Sequence, residues 1–229
     1  MAEENNIPSE LVIKMAKAGV FFGHKKSKTH PRMKPFVSGA RNEIEFIDPD
    51  ATISSLNRAI EFLKDKVKNG GSVLLVETLA SGKSAVESFA KEFKFPFVIS
   101  RWLGGTITNF KIISDRLKYY EDLEVKKEKG ELSKYTKKEQ RQFDKEIGKL
   151  SKFFIGLKTL MRLPDVVFII DIKTHSTALK EAKILKIPVV AILDSDDDPK
   201  LVDYPIFASD HNCQGIQLIM NEIKEGIKV

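Results

Sequence analysis

One cysteine, Cys213, stands alone in 229 residues. A single thiol excludes an internal disulfide framework and any cysteine-rich zinc motif, which fits a reducing compartment. Long apolar runs are missing too: none approaches the roughly 20 residues that a membrane-spanning helix requires. The opening MAEENNIPSE is acidic and polar, unlike a signal peptide. Together these absences predict a soluble, cytoplasmic protein. A further absence is local, because no Asp or Glu occurs between Phe21 and Arg41.

That acid-free stretch, FFGHKKSKTHPRMKPFVSGAR, is rich in positive charge. It holds Lys25, Lys26, Lys28, Lys34, Arg32 and Arg41, together with His24 and His30. Pro31 and Pro35 disfavour helix at the residue before each, so an extended or looped ribbon is expected. On such a ribbon no acid one helical turn away can neutralise the charges. They call for an outside anion, and polyphosphate is the usual one. Phe21, Phe22, Met33, Phe36 and Val37 are spaced among them as if to pin the segment to a core. The whole chain agrees in sign: 38 Lys and Arg against 32 Asp and Glu leave a net charge of +6.

Periodicity gives the frame. A short helix is expected over Ser9–Ala18, a strand at Ile44–Asp48, and a helix capped by Asp50 or Thr52. That helix buries Ile53, Leu56, Ile60, Leu63 and Val67. Strands then read at Ser72–Glu77, Pro96–Ser100, Asp165–Asp171 and Pro188–Asp194, with a short one near 203–207. Helices fall at 82–93, 174–186 and 212–226. Near-continuous Val, Ile and Phe runs alternating with amphipathic helices predict parallel strands covered on both faces. The fold class is α/β, a doubly wound parallel sheet whose function gathers beyond the carboxyl ends of the strands.

Residues 108–161 break the rhythm. Phe110, Ile113, Leu117 and Tyr120, then Phe143, Ile147, Leu150, Phe154 and Leu157, follow seams of coiled-coil spacing around a polar turn at Gly130. An inserted antiparallel coiled-coil hairpin is expected there, the sandwich domain comprising 1–107 and 162–229. From Lys111 to Lys158 the arm carries 14 Lys and Arg against 9 Asp and Glu, so an RNA or protein contact is favoured over a purely structural role.

Enzymatic readings are weak. ETLASGKS, from Glu77 to Ser84, follows a strand, opens a helix and ends like a phosphate-binding loop, which makes Gly82-Lys83-Ser84 the nucleotide-binding alternative. Glu77, however, stands where the pattern needs its first glycine. Cys213 reads as a buried structural thiol. The acidic loop DSDDDP suggests Asp194, Asp210 and His211 as ligands for a divalent ion. Against that, its charges read as turn caps before Pro199, with Asp210 capping the last helix. Such a loop should face solvent or a basic partner. In RWLGGTITNF, Arg101 offers a phosphate fork and Trp102 a stacking surface, the glycines letting backbone come close.

AGVFFGHKKSKTHPRMKPFVSGARNEIEFID, RWLGGTITNF and PDVVFIIDIKTHSTALKEAKILKIPVVAILDSDDDPKLVDYPI, in this order, closely resemble the bacterial small-subunit ribosomal protein S-two family. The resemblance runs from about Met15 to Ile219, with departures at Phe21, Met161-Arg162 and His211. It implies a flavodoxin-like domain with a coiled-coil hairpin and a structural, non-enzymatic role on the ribosome. It implies binding to small-subunit ribosomal RNA between head and body, beside neighbouring small-subunit proteins. It also implies help in docking ribosomal protein S-one for translation initiation. The RNA contacts expected are Lys25, Lys26, Lys28, Arg32, Lys34, Arg41, Arg101 and Trp102, then Lys111 and Arg116 on the arm. No small-molecule substrate, membrane contact or cofactor beyond the candidate ion is implied.

Overall fold

Strand alternation sets the layers of this computed structural model, which describes residues 9–228. Five parallel strands form the central sheet in the order β5-β4-β6-β7-β8. They are β4 (Val73–Val76), β5 (Phe97–Val98), β6 (Val166–Ile170), β7 (Val189–Leu193) and β8 (Tyr204–Phe207). Val73, Leu75, Phe168, Ile170, Val190 and Ile192 enter one core, and Leu74, Val76, Val167, Ile169, Ala191 and Leu193 enter the other. Every residue of β4, β6 and β7 is buried, as strands covered on both faces require.

One face packs against α1 (Ser9–Lys17), α2 (Pro49–Lys68), α3 (Ala80–Phe93) and α7 (Cys213–Lys228). In α2, Ile53, Leu56, Ala59 and Leu63 form the buried stripe. Its cap is Asp48, whose carboxylate accepts from the Asp50 amide at 3.2 Å, with Pro49 next in line. The cap thus falls earlier than Asp50 or Thr52, because proline's fixed φ suits the first helical position. The cap of α7 is likewise Asn212, accepting from Gln214 N at 3.0 Å, and not Asp210. Cys213, expected to be buried, is exposed at the start of that helix. The acidic residues that precede Ser9 lie outside the described residues.

The opposite face takes α6 (Ser176–Ile184) and the base of α4 (Phe110–Glu128) and α5 (Lys137–Phe154). Lys127 Nζ meets Asp144 at 2.7 Å, and Lys158 Nζ meets Glu124 at 2.5 Å, so α4 and α5 run antiparallel. Ile113, Leu117, Tyr120, Phe154 and Leu157 are buried at the base, while Phe143, Ile147 and Leu150 are half-buried further out. Thr136 and Glu139 form a reciprocal cap that starts α5.

Ile44–Ile47 departs from the expected rhythm. It is β3 of a separate antiparallel sheet, β1-β3-β2, with β1 (Phe22–Lys25) and β2 (Val37–Arg41) on either side. The reason is visible in its alternation: Glu45 and Ile47 are buried whereas Ile44 is exposed, which suits one covered face only. Asn42 and Glu43 join β2 to β3 with φ of 51° and 64°, the left-handed pair of a two-residue hairpin turn.

Candidate nucleic-acid interface

The basic ribbon folds onto the carboxyl ends of the parallel strands. It consists of β1, a 3-10 turn at Lys26–Lys28, a second at Pro31–Phe36, and β2. The extended ribbon expected from the prolines is therefore interrupted by two tight turns. Three of the five apolar pins hold as expected. Met33 is fully buried, Phe21 enters the core, and Phe36 stacks on Phe207 with ring centroids 4.1 Å apart. Val37 is half-buried, but Phe22 is 48% exposed.

Beneath the ribbon lies the acidic loop after β7. His24 N donates to Ser195 Oγ at 2.8 Å, and His30 N donates to the Ser195 carbonyl at 3.0 Å. Arg32 Nη1 pairs with Asp198 Oδ2 at 2.5 Å. Much of the loop thus packs against this chain's own basic segment, while Asp196 pairs with Lys173. Asp194, Asp197 and Asp210 are buried here at 1–2% exposure. Burial, reinforced by the charge of Asp196, pushes Asp197 up to about 7. Burial and the surrounding aspartates, Asp194 foremost, push Asp210 up to about 9.

This packing has a direct electrostatic result. Of the ribbon cations, Arg32 is taken by Asp198, while Lys25, Lys26, Lys28, Lys34 and Arg41 are exposed. None of those five makes an ion pair among the described residues. They share one small sheet and its turns. The structure does not bring Arg101 to them: it follows β5, at the far edge of the sheet order from β8. Lys111 and Arg116 are exposed on α4. Trp102 points inward at 9% exposure, its indole N–H donating to Glu181 Oε1 at 2.9 Å. An indole so held offers no open stacking surface.

Glu181, which sequence reasoning missed, organises that corner. Besides Trp102 it accepts from Gly105 N at 2.7 Å, Ile107 N and Thr108 N at 3.2 Å, and Thr108 Oγ1 at 3.0 Å. Burial raises its carboxyl, but the bonds from Trp102, Gly105, Thr108 and Ile107 outweigh that and hold it below the usual range.

Donor atoms of His24, Asp194 and His211 lie within 4.8 Å of one another. His24 Nδ1 is 3.1 Å from Asp194, and His24 Nε2 is 2.8 Å from His211 Nε2. The expected trio is thereby revised. β1 delivers His24 to the site, and Asp210 sits behind His211, its Oδ1 3.2 Å from Nδ1. Two imidazoles and a carboxylate fit a borderline divalent ion such as zinc.

The Gly82-Lys83-Ser84 segment has no open cradle. Gly82 lies within α3 under the Glu77 side chain, whose Cγ would be 2.7 Å from a Cβ there. The Glu77 carboxylate accepts from Leu79 N, occupying the place a phosphate would take. Asp171 caps its own turn, accepting from Lys173 N at 2.9 Å and Thr174 N at 3.0 Å.

These features define a doubly wound α/β protein with a helical hairpin and an uncompensated basic surface beyond its strand ends. The chain belongs to the family described as Ribosomal protein S2, whose model matches residues 15–229. It is 39% identical over 213 residues to the small ribosomal subunit protein uS2 of Coprothermobacter proteolyticus, covering 93% of this chain and 80% of the relative. The protein of that name from Thermus thermophilus is 38% identical over 216 residues, covering 94% and 84%. That of Rhodopirellula baltica is 37% identical over 219 residues, covering 96% and 84%. Among the described residues no helix is long and apolar enough to cross a membrane.

Proposed function

We propose that this chain is a structural, non-enzymatic constituent of the small ribosomal subunit in the cytoplasm, binding ribosomal RNA between head and body. The observation that carries the reading is the set of exposed cations, unpaired among the described residues, in the segment from Phe21 to Arg41, which holds no acid. Lys25, Lys26, Lys28, Lys34 and Arg41 stay exposed, while beneath them Asp194 and Asp197 are buried, Asp198 pairs with Arg32 and Asp196 pairs with Lys173. Contacts from such a face neutralise phosphates, giving salt-sensitive affinity that follows RNA shape. Arg101, Lys111 and Arg116 extend the contact toward the hairpin, which we read as an inserted coiled-coil arm spanning 108–161. Neighbouring small-subunit proteins, including ribosomal protein S-one during translation initiation, complete the partner set.

A bound ion is the second part of the proposal. His24, Asp194 and His211 would hold one divalent ion, with Asp210 orienting His211 from behind. The ion would clamp β1 to the loop after β7 and so hold the basic turns in place.

Sedimentation tests the main reading. A tagged copy expressed in its own cells is expected to migrate with the small subunit through a sucrose gradient and to loosen after a high-salt wash. Charge reversal at Lys25, Lys26 and Lys28 together should lower incorporation while circular dichroism shows an intact fold. Unchanged incorporation of that triple variant, or sedimentation as free protein at every salt, would overturn it.

A further inference from the structure

Besides its charge, the small sheet carries an ordered pattern on its outer face. Directly opposed residues of an antiparallel pair project from the same face. Phe22 lies opposite Phe46, and Phe46 opposite Gly39. Lys25 lies opposite Ile44, and Ile44 opposite Arg41. Two rows therefore cross the three strands, Phe22–Phe46–Gly39 and Lys25–Ile44–Arg41. On β3 the rows stand two residues apart, about 7 Å.

The aromatic row is open. Phe22 is 48% exposed although its neighbour Phe21 is buried in the core. The Phe22 and Phe46 rings form a tilted pair 5.2 Å apart. A Cβ on Gly39 would meet nothing within 4 Å, so nothing overhangs the far end of that row. In the second row Lys25 and Arg41 are exposed on either side of Ile44, which is itself 38% exposed. Glu43, in the adjoining turn, makes no ion pair with either.

We propose that this face is a stacking platform for an unpaired nucleotide of RNA, with the base on the Phe22–Phe46 step and its flanking phosphates at Lys25 and Arg41. The inference rests on the reading that the basic face meets RNA and adds to it a contact that only an unstacked base can make. Duplex RNA keeps its bases inside and cannot offer one to Phe22, whereas loops, bulges and ends can. An apolar peptide strand would leave Lys25 and Arg41 without counter-charges. The row of rings beside a row of cations matches instead the alternation of base and phosphate along a single strand. Because every base has a π face, the platform is tolerant of sequence. It also supplies, from a different element, the stacking surface that Trp102 does not offer.

The test uses the full chain and two fluorescein-labelled probes of equal length, an oligoadenylate and an abasic ribose-phosphate oligomer. Fluorescence anisotropy is expected to show roughly tenfold tighter binding of the base-bearing probe. Phe22→Leu keeps the apolar bulk and removes the ring, so it should erase that difference while leaving the salt dependence unchanged. Phe22→Tyr should retain the difference, which separates stacking from any general disturbance of the sheet. Lys25→Gln with Arg41→Gln should weaken both probes and flatten the salt dependence. Equal binding of the two probes by the native chain, or a Phe22→Leu variant that keeps full base preference, would overturn the platform and leave the phosphate contacts standing. No binding of either probe at low salt would overturn the platform and the RNA reading together.

Discussion

The imidazole of His24 sits 3.1 Å from the carboxylate of Asp194, although 170 positions separate them in the chain. Asp194 draws the ring toward its charged form, chiefly through their hydrogen bond, which outweighs the opposing cost of burial. One side of the contact belongs to the basic ribbon and the other to the strand end beneath it. The pair therefore joins the two halves of the proposed site.

If that junction holds an ion, removing a ligand should be measurable directly. Titration of dialysed protein with Zn²⁺ is expected to give one tight site. His24→Ala and His211→Ala should each abolish it or weaken it by more than tenfold. Asp210→Asn, acting through His211, should weaken it roughly 10–100-fold. Absence of uptake by the native chain would remove the ion from the proposal.

Glu77 should make stability depend on pH. Burial, with the nearby charge of Asp171 adding to it, pushes this carboxyl up to about 7 from an ordinary 4.5. Between those two values the folded chain binds a proton that the unfolded chain has released. Its contribution is thus fully present below about pH 4.5 and is lost as the pH rises through 7. Relative to the native chain, Glu77→Gln should flatten urea-melt stability across this window, by on the order of 2 kcal/mol. Parallel pH curves for the two proteins would contradict the assignment.

Glu181→Ala should be among the costliest single changes. It strands the donors of Trp102, Gly105, Ile107 and Thr108 in a largely buried corner. A loss of about 3–5 kcal/mol is expected from urea denaturation. Trp102, the chain's one tryptophan, should report it through a red-shifted emission as the indole gains water. A loss below about 1 kcal/mol would show that the network contributes little.

Gly156 marks where the hairpin returns to the sheet. A Cβ there would lie 2.2 Å from the Phe97 carbonyl oxygen and 2.8 Å from its ring. Backbone cannot yield as a flexible side chain can, so Gly156→Ala should cost about 2–3 kcal/mol. The same substitution at Gly148, whose Cβ would meet nothing within 4 Å, should be neutral or mildly stabilising. Equal melting temperatures for the two variants would refute the packing argument.

Local signals suffice where one element supplies all the information. The apolar steps Ile53, Leu56 and Leu63 announce α2, and the unbroken runs of β6 and β7 announce strands buried on both faces. The turn at Asn42-Glu43 is not legible in the sequence because neither residue is glycine, so the left-handed pair has no plain compositional mark. The inward turn of Trp102 is hidden from the local sequence for another reason. Its partner Glu181 lies 79 positions away, and nothing in RWLGGTITNF foretells a buried carboxylate waiting for that indole.

By itself the sequence determined the layered α/β core, the helical arm and the stretch without acids, because hydrophobic period and local charge are properties of neighbouring residues. Only the tertiary structure decided which of those charges stay free. It set Arg32 against Asp198 and His24 against Asp194, sank Trp102 onto Glu181, and lifted Phe22 beside Phe46. Each of these outcomes depends on contacts between segments apart in the chain, whose meeting is fixed by how strands, helices and loops pack and not by any local pattern.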